Sequence, residues 1–379
     1  MKLSIVKLGD ILEVQNGFAF KSEFFSDSSE GIPLIRIRDL KNAATEVRYI
    51  GEYKPEFIVQ LGDYLVGMDG DFECYRWQGE SALLNQRVCR LRNFSPSVEP
   101  EYIYYGIQEK LADIHRNTSY VTVKHLSSKQ ISNIELPLPS SAEQRHIVDI
   151  LKRADGIRHL RKQAIQTARE LIPALFVDMF GDPATNPKKW PEHAIGNLCG
   201  LVRGSSPRPQ GDSRYFGGPI PRLMIADITR DGIFVTPRID SLTIEGAKKS
   251  RPMKAGDVVM AVSGAVGLPA ILSVDACIHD GFVGFRELRT DLITTSYLFS
   301  FLQSLRYRAA HEAVGAIFQN LTTDQINRWS VPVPPPHLQD EFIRQAEQVR
   351  AIEQQQDDAA QKTESAFTAL LHLAFRGEL

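Results

Sequence analysis

The chain has 379 residues, with 44 Lys and Arg against 46 Asp and Glu and a hydrophobic fraction of 43%. This length is sufficient for two or three domains with complete cores, and the composition is ordinary for a soluble globular protein. No apolar run approaches the roughly 20 residues that cross a membrane, and the N-terminus lacks the apolar segment of a signal peptide, so a cytoplasmic protein is expected.

The distribution of charge and the spacing of the cysteines indicate which kinds of binding site the protein can have. Residues 1–141 contain 16 Lys/Arg and 19 Asp/Glu, whereas residues 188–337 contain 17 and 13. Nucleic-acid binding would therefore depend on local basic surfaces and not on the charge of the whole chain. The four cysteines are scattered without a CxxC pair, which indicates reduced thiols in preference to a metal site.

Residues 1–141 predict a β-rich first domain. Short β-like runs, punctuated by glycine and proline, occupy residues 32–40 (IPLIRIRDL), 63–68 (DYLVGM) and 86–92 (QRVCRLR). A helix is predicted to follow over residues 101–114 (EYIYYGIQEKLADI).

An ELPLP segment then separates this domain from a long helical pattern. Because proline has no N–H to donate to a strand ladder, Pro137 and Pro139 predict an extended exit from the sheet. Ser140 or Ser141 is the expected N-cap of the helix, with Glu143 in its first turn, where the helix dipole favours an acidic side chain.

Residues 142–180 predict the first long helix. Apolar positions recur there at steps of three and four, at Ile147, Leu151, Ala154, Ile157, Leu160, Ala164, Ala168, Leu171, Leu175 and Met179. Pro173 is expected to kink or end this helix, and the following FGDPATNP segment is expected to stop it. Residues 181–187 are therefore interpreted as a linker.

The rest of the chain repeats the first part. LSSKQISNIELPLP (126–139) aligns without gaps on LTTDQINRWSVPVP (321–334), an offset of 195 residues. The same offset pairs Tyr102 with Tyr297, Gln144 with Gln339, Pro137 with Pro332 and Pro139 with Pro334. The protein is therefore two copies of one unit. The second copy predicts a β-rich domain over residues 188–337 and a second long helix over residues 338–379.

The two long helices predict the fold. Each would be about 55 to 60 Å long at 1.5 Å per residue, and its apolar stripe requires a partner, which the other copy can supply. The basic stretch 158–163 of the first helix and the acidic stretch 353–358 of the second favour antiparallel pairing. The predicted class is an α/β (α+β) two-lobed repeat, with two β-rich domains separated by an antiparallel coiled coil. Packing of each helix on its own domain is the alternative.

The sequence offers no recognisable catalytic motif. It lacks a GxGxxG turn after a strand, a P-loop, a GxSxG elbow and an HExxH helix, and its nine histidines are dispersed. Catalytic, cofactor-binding and metal-binding residues are therefore not predicted.

The whole pattern resembles the specificity subunit of type I restriction-modification systems. The residues that carry the resemblance are Pro137, Pro139, Glu143, Gln144, the helix LKRADGIRHLRKQ (151–163), Phe180-Gly181-Asp182-Pro183 with Asn186-Pro187, and in the second copy Pro332, Pro334, Gln339 and the terminal AFRGEL. The resemblance covers essentially the whole chain.

This resemblance implies a function for each part. Each β-rich domain would be a target-recognition domain that reads one half of a split, asymmetric sequence in double-stranded DNA. The helices would set the spacer between the halves and bind two modification (methyltransferase) subunits, which two restriction (motor-nuclease) subunits would join. The chain itself would be non-catalytic, and S-adenosylmethionine, ATP and Mg would be bound by those partner subunits.

Residues that contact DNA are predicted among polar, basic and aromatic side chains in loops that follow strands. In the first domain the candidates are Lys21, Arg36, Arg38, Arg76, Trp77, Asn85, Gln86, Arg87, Thr118, Tyr120 and Lys124. In the second they are Arg203, Ser205, Arg208, Gln210, Arg214, Tyr215, Arg222, Arg230, Ser263, Gln319 and Asn320. The stretch RGSSPRPQGDSRYFG (203–217) is the strongest, because it is too polar to be core.

Two other functions stay open. An autonomous DNA methyltransferase with an unrecognisable cofactor site would bind S-adenosylmethionine by itself. A coiled-coil adaptor without a DNA role would show no salt-dependent binding to duplex DNA.

Overall fold

The computed structural model describes residues 4–117, 125–311 and 321–379. The chain divides into two compact units: unit 1 comprises Met1–Lys162 with Asp358–Leu379, and unit 2 comprises Gln163–Asp357. Each unit contains one β-rich part, named lobe 1 (residues 4–140) and lobe 2 (residues 188–335), together with part of each long helix. The domain boundaries predicted from the sequence stay a prediction.

Lobe 1 alternates short strands and short helices. In chain order these are β1 (Ser4–Lys7), α1 (Leu8–Ile11), β2 (Glu13–Asn16), β3 (Phe25–Ser26), β4 (Ile32–Ile35), β5 (Arg48–Tyr49), β6 (Ile58–Val59), β7 (Tyr64–Gly67), β8 (Cys74–Arg76), β9 (Ala82–Leu84), β10 (Val88–Arg92), α2 (Pro100–Asn117), α3 (Ser128–Ser132) and β11 (Glu135–Leu138). The strands form an antiparallel pair β1–β11, an antiparallel sheet β2–β10–β7–β8, and a sheet β3–β5–β4–β9–β6 in which β4 and β9 are parallel. The long helix α4 (Ser141–Phe180) follows.

Lobe 2 repeats this plan. Its elements are β12 (Glu192–Ala194), α5 (Ile195–Leu198), β13 (Gly200–Arg203), β14 (Phe216–Leu223), α6 (Ile225–Asp231), β15 (Phe234–Val235), β16 (Asp240–Leu242), α7 (Ile244–Lys248), β17 (Arg251–Met253), β18 (Val258–Ala261), β19 (Pro269–Leu272), β20 (Ala276–Ile278), β21 (Phe282–Arg286), α8 (Thr295–His311), α9 (Thr323–Asn327) and β22 (Ser330–Pro332). The order β13–β21–β18–β19 corresponds to β2–β10–β7–β8 of lobe 1. The second long helix is α10 (Pro336–Arg376).

The long helices complete the hydrophobic core of each lobe. In unit 1, Tyr102 of lobe 1, Leu151 of α4 and Phe367 of α10 belong to one buried cluster. In unit 2, Phe176 of α4 and Phe342 of α10 are buried in the core of lobe 2. Full burial of such a side chain contributes about 2 kcal/mol or more. Helix-on-helix and helix-on-lobe packing, which the sequence presented as alternatives, are therefore both present.

The two long helices run antiparallel. Within unit 2, the guanidinium of Arg169 lies 3.9 Å from the carboxylate of Asp357, and the rings of Phe176 and Phe342 have centroids 5.7 Å apart. The residue number therefore rises along α4 as it falls along α10.

Within unit 1 a charge pair also joins the two long helices. Arg158 of α4 lies 3.1 Å from Glu364 of α10 and stacks over the ring of Phe367 at 4.3 Å. The attraction between the stretches 158–163 and 353–358 stays a prediction.

The N-terminus of α4 confirms one of the two predicted caps. The Ser140 N–H and hydroxyl both donate to the Glu143 carboxylate, at 2.9 and 2.7 Å. These hydrogen bonds, the hydroxyl one first, hold the pKa of Glu143 below its ordinary value. In the second copy Pro336 occupies the first helical position, where its fixed φ and missing N–H cost nothing.

Two sequence expectations for this region are corrected. Helix α4 does not end at Pro173 but continues to Phe180. The run IPLIRIRDL is not a strand throughout: β4 ends at Ile35 and a short 3-10 helix, Ile37–Asp39, follows. In that helix the Asp39 carboxylate accepts a hydrogen bond from the Arg36 N–H at 2.9 Å.

The linker after α4 closes the end of the helix. Lys188 Nζ donates to the carbonyl oxygens of Asp178 and Met179, at 2.6 and 2.8 Å, and the Trp190 indole donates to that of Phe180 at 3.0 Å. These are carbonyls that a helix end leaves without intrahelical partners.

The four cysteines are free and buried. Burial raises the pKa of the Cys89 thiol to about 12, so it stays protonated at neutral pH. Within residues 4–117, 125–311 and 321–379, neither a metal-binding group of His, Cys, Asp and Glu side chains nor a helix able to cross a membrane is found.

Candidate nucleic-acid interface

The loop between β13 and β14 forms a basic surface with a second segment, which contains none of the DNA contacts predicted from the sequence. Ser205 Oγ donates to the Lys249 carbonyl at 2.9 Å, and Ser250 Oγ donates to the Ser205 carbonyl at 2.8 Å. Arg251 Nε donates to the Arg203 carbonyl at 3.2 Å. Residues 203–215 and 248–251 therefore form one structure, named here the basic loop surface.

The basic loop surface has six cationic side chains and one acidic side chain. The cations are Arg203, Arg208, Arg214, Lys248, Lys249 and Arg251, all exposed, and the acid is Asp212. The run KKSR at 248–251 is the sequence signal that could have identified the second segment, because charge clusters are visible without a structure.

Several of these cations donate to uncharged groups, which leaves their charge available to an anion. Arg203 donates to the backbone carbonyls of Asp280 and Leu321, at 2.9 and 3.3 Å. Lys249 Nζ donates to the Tyr215 hydroxyl at 2.6 Å and lies 4.2 Å from the centre of its ring. Hydrogen bonds to neutral oxygens fix a cation in place without neutralising it, which suits a site for phosphate.

Two carboxylates reduce the positive charge of the basic loop surface. Asp212 accepts from the Arg214 guanidinium, and this hydrogen bond lowers the pKa of Asp212. The Ser206 hydroxyl donates to Asp280 at 2.6 Å and lowers the pKa of that carboxyl, which lies 3.9 Å from Arg208. Both acids are thus ionised near neutral pH, and Arg208 is only loosely paired.

Four sequence-predicted DNA contacts lie in the interior. These are Trp77, Asn85, Tyr215 and Arg222, each at most 8% exposed. The Trp77 indole donates to the Glu80 carbonyl at 2.8 Å, and the Asn85 side chain accepts from the Gln86 N–H at 2.9 Å. Arg222 pairs with Asp240 and donates to Ser206 Oγ at 2.9 Å. Burial makes Trp77, Asn85 and Arg222 supports of the lobes, and Tyr215 supports Lys249 within the basic loop surface.

Five further candidates are held in ion pairs. The pairs are Lys21 with Glu23 at 3.7 Å, Arg36 with Asp39 at 3.1 Å, Arg76 with Glu101 at 3.2 Å, Arg87 with Asp69 at 2.7 Å, and Arg230 with Asp227 and Asp231 at 3.0 and 2.6 Å. A carboxylate partner reduces the attraction of each cation for phosphate. Four of the cations selected in lobe 1 are thus partly neutralised, as is Arg230 in lobe 2.

The remaining candidates are distributed over the two lobes. Arg38 and Gln86 are exposed in lobe 1, Gln210 and Ser263 are exposed in lobe 2, and Ser205 is half-buried beneath the basic loop surface. Thr118, Tyr120, Lys124, Gln319 and Asn320 lie outside the described residues.

A second candidate surface is mainly apolar and lies on the long helices. In unit 2, α4 and α10 border a groove of about 660 Å³, in which Leu171, Val349 and Ile352 lie beside polar and charged residues that include Asp178, Glu341 and Arg344. Leu171 and Ile352 are 42% and 46% exposed, and in unit 1 Ile157 and Leu160 of α4 are 52% and 65% exposed. Exposed large apolar side chains on neighbouring turns mark sites of protein–protein contact.

Comparison with known protein families shows to which family the chain belongs. The sequence model described as "Type I restriction modification DNA specificity domain" matches residues 2–168 and again residues 187–361, one match for each copy of the repeat. The chain belongs to this family. It is thus a specificity subunit of the type I restriction-modification class, as the repeat, the proline junctions and the long helices predicted.

Two relatives are similar to this chain over nearly its whole length. The Escherichia coli type I restriction enzyme EcoBI specificity subunit is 28% identical, over 99% of this chain and 85% of the relative. The putative type I restriction enzyme MjaX specificity subunit of Methanocaldococcus jannaschii is 21% identical, over 98% and 92%.

Solved structures confirm the fold. A chain from a study of complex assembly and conformational transition of the type I R-M system matches with a TM-score of 0.65, 21% identity and full coverage of both chains. The type I restriction-modification S subunit from M. genitalium matches with a TM-score of 0.52 and 13% identity, over 99% of this chain and 96% of that one. The two-lobed repeat with long helices is therefore a fold of this family.

Proposed function

We propose that this specificity subunit recognises a bipartite, asymmetric DNA sequence, with each lobe reading one half. The basic loop surface of lobe 2 carries the proposal, because it presents six exposed cations on two connected segments, and three of them, Arg203, Lys249 and Arg251, donate to neutral oxygens. Such cations position a protein on phosphates, while neighbouring polar side chains such as Gln210 can read base edges.

The chemistry of the enzyme would belong to partner subunits. Specificity subunits of this class function with modification and restriction subunits, so this chain would be non-catalytic and would place the methyltransferase on its target. S-adenosylmethionine, ATP and Mg would be bound by two modification and two restriction subunits. The apolar groove between α4 and α10 in unit 2, and Ile157 and Leu160 in unit 1, would dock the modification subunits. A cytoplasmic location fits this role.

The experiment is a salt titration of duplex DNA binding by the full chain in complex with its modification subunits. The double variant Arg208→Ala, Arg251→Ala should weaken binding about tenfold at physiological salt, because two phosphate contacts are lost. The slope of log affinity against log salt should decrease in magnitude by about two for the same reason.

Arg289→Ala is the matched control. Arg289 is an exposed arginine of the same lobe, but it is paired with Asp291 at 2.7 Å and lies outside the basic loop surface. This variant should keep the wild-type slope. Equal slopes for the double variant and wild type would contradict the proposed interface, and salt-independent binding by the wild-type complex would favour the adaptor function.

A further inference from the structure

A buried glutamine joins lobe 1 to its long helix. Gln144, in the first turn of α4, is completely buried. Its Nε2 donates to the carbonyl oxygens of Ser97 and Pro139, at 3.0 and 2.9 Å, and its Oε1 accepts from the Glu99 N–H at 2.9 Å. Ser97 and Glu99 lie just before α2, and Pro139 lies just before α4, so one side chain holds both segments.

Unit 2 contains the same joint. Gln339 is also completely buried. Its Nε2 donates to the carbonyls of Leu292 and Pro334, both at 2.8 Å, and its Oε1 accepts from the Thr294 N–H at 2.8 Å. Each partner lies 195 residues after its counterpart in unit 1. The three hydrogen bonds have therefore been kept in two copies whose sequences otherwise differ widely.

A tyrosine reinforces each joint. The Tyr102 hydroxyl donates to the Pro137 carbonyl at 2.8 Å, and its ring centre lies 4.9 Å from that of Phe375 on α10. In unit 2 the counterpart Tyr297 donates to the Pro332 carbonyl, at 2.6 Å. Its ring centre lies 5.0 Å from that of Phe180 on α4. Each tyrosine thus connects its lobe, its proline segment and the long helix that begins in the other copy.

These contacts restrict the angle between lobe and helix. Both N–H groups of each glutamine amide are used, and the site is closed to water, so a rotation of the lobe would leave buried polar groups without replacement partners. The proline segments add stiffness because proline fixes φ. The joint therefore has one favourable geometry.

We propose that Gln144 and Gln339 are positioning residues for DNA specificity. Each fixes the orientation in which its lobe is held on the long helix, and together they set how strictly the enzyme discriminates between spacer lengths. This inference rests on the proposed function, since spacer length has a meaning only for a bipartite site.

The test uses the full chain in complex with its modification subunits. Wild type first defines the two half-sites, and initial methylation rates are then measured on duplexes with the natural spacer and with spacers one base pair longer or shorter. The variants are Gln144→Met and Gln339→Met, which keep the side-chain size, and Tyr102→Phe, which keeps the ring and removes only the hydroxyl. Gln130→Met is the control, because the side-chain hydrogen bonds of Gln130 within the described part of the chain stay inside lobe 1, to the N–H and hydroxyl of Ser127.

Tyr102→Phe loses one hydrogen bond and should reduce the preference for the natural spacer by about fivefold. Gln144→Met and Gln339→Met each lose three hydrogen bonds and should reduce this preference by at least as much. Discrimination between single-base changes inside each half-site should stay as in wild type, and Gln130→Met should change neither property. If Tyr102→Phe and every glutamine variant that assembles keep the spacer preference within about twofold, the inference is wrong. If wild type methylates no bipartite site at all, the proposed function fails instead.

Discussion

At the scale of single residues, His279 gives lobe 2 a dependence on pH. Its Nδ1 accepts a hydrogen bond from the Gly281 N–H at 2.9 Å, so the neutral ring is the form that the fold requires. Burial, followed by the charge of Arg222, lowers the pKa of His279 below its ordinary value of 6.5, although Asp280 and Asp240 oppose this shift. The unfolded chain therefore binds a proton more readily than the folded one.

The direction of the effect follows from this difference. Because the pKa is lower in the folded state, the stability contributed by neutral His279 is complete above pH 6.5 and is lost as pH falls through the folded pKa. His279→Asn should reduce the loss of melting temperature between about pH 8 and pH 5.5. Asparagine is the matched replacement, because Asn85 occupies the equivalent turn of lobe 1 and its side chain also accepts a backbone N–H. Parallel pH profiles of the variant and wild type would contradict this role.

Some residues of the candidate nucleic-acid interface could be predicted from the sequence, and others could not. The β13–β14 loop was recognisable because its polarity and its glycine and proline content exclude it from a core. Arg76 and Arg222 could not be distinguished from the loop arginines in the sequence, because their partners Glu101 and Asp240 lie 25 and 18 residues away along the chain. Arg90 is a further case, since it is buried and donates to Gln15, 75 residues away, at 2.7 Å.

At the scale of secondary-structure elements, the sequence predicted the long helices and the main strands well, because apolar periodicity and the repeat support each other. Of the two effects expected of Pro173, the end of the helix is wrong, because α4 continues to Phe180, and the kink stays a prediction. It also assigned Asp39 to a strand, whereas its carboxylate accepts a backbone N–H at the start of a short helix. Local capping of this kind competes with strand patterns and is not visible in hydrophobicity alone.

The C-terminus of α4 supports an element-scale prediction. Lys188→Met should destabilise unit 2 by about 1 kcal/mol, because the two carbonyls that Lys188 binds lose a cationic donor at an exposed helix end. Chemical denaturation of the full chain, followed through a tryptophan signal, would measure it. Lys189→Met changes the neighbouring exposed lysine and should alter the free energy of unfolding by less than about 0.5 kcal/mol. Equal effects of the two substitutions would show that the cap does not stabilise the helix end.

At the scale of the whole molecule, the two copies exchange parts of their helices. Unit 1 takes residues 358–379 from the second copy, and unit 2 takes residues 163–187 from the first. Phe367 and Ala374 are buried in the core that contains lobe 1, and Phe176 and Phe180 are buried in the core that contains lobe 2. Neither core is complete without the other copy. The two copies of the repeat therefore depend on each other to complete their cores. This dependence explains why the proline segment and the buried glutamine occur in both copies.

Both long helices pass from one unit into the other, at residues 162–163 and 357–358. Inserting four helix-forming residues at both positions lengthens each helix by about 6 Å at 1.5 Å per residue. Since base pairs rise by about 3.4 Å, the spacer between the half-sites should grow by about one to two base pairs while the half-sites stay the same. Mapping methylated bases in the DNA of cells that express the chain with its modification subunits would measure both properties.

The same insertion in α4 alone is the informative control. It should abolish methylation or broaden the spacer, because α4 alone would lengthen where it passes from unit 1 to unit 2, and the apolar stripes of the two helices could no longer stay in register in both units. If the paired insertion leaves the spacer unchanged, the helices do not measure it. If the half-sites change as well, base recognition by the lobes depends on the length of the long helices.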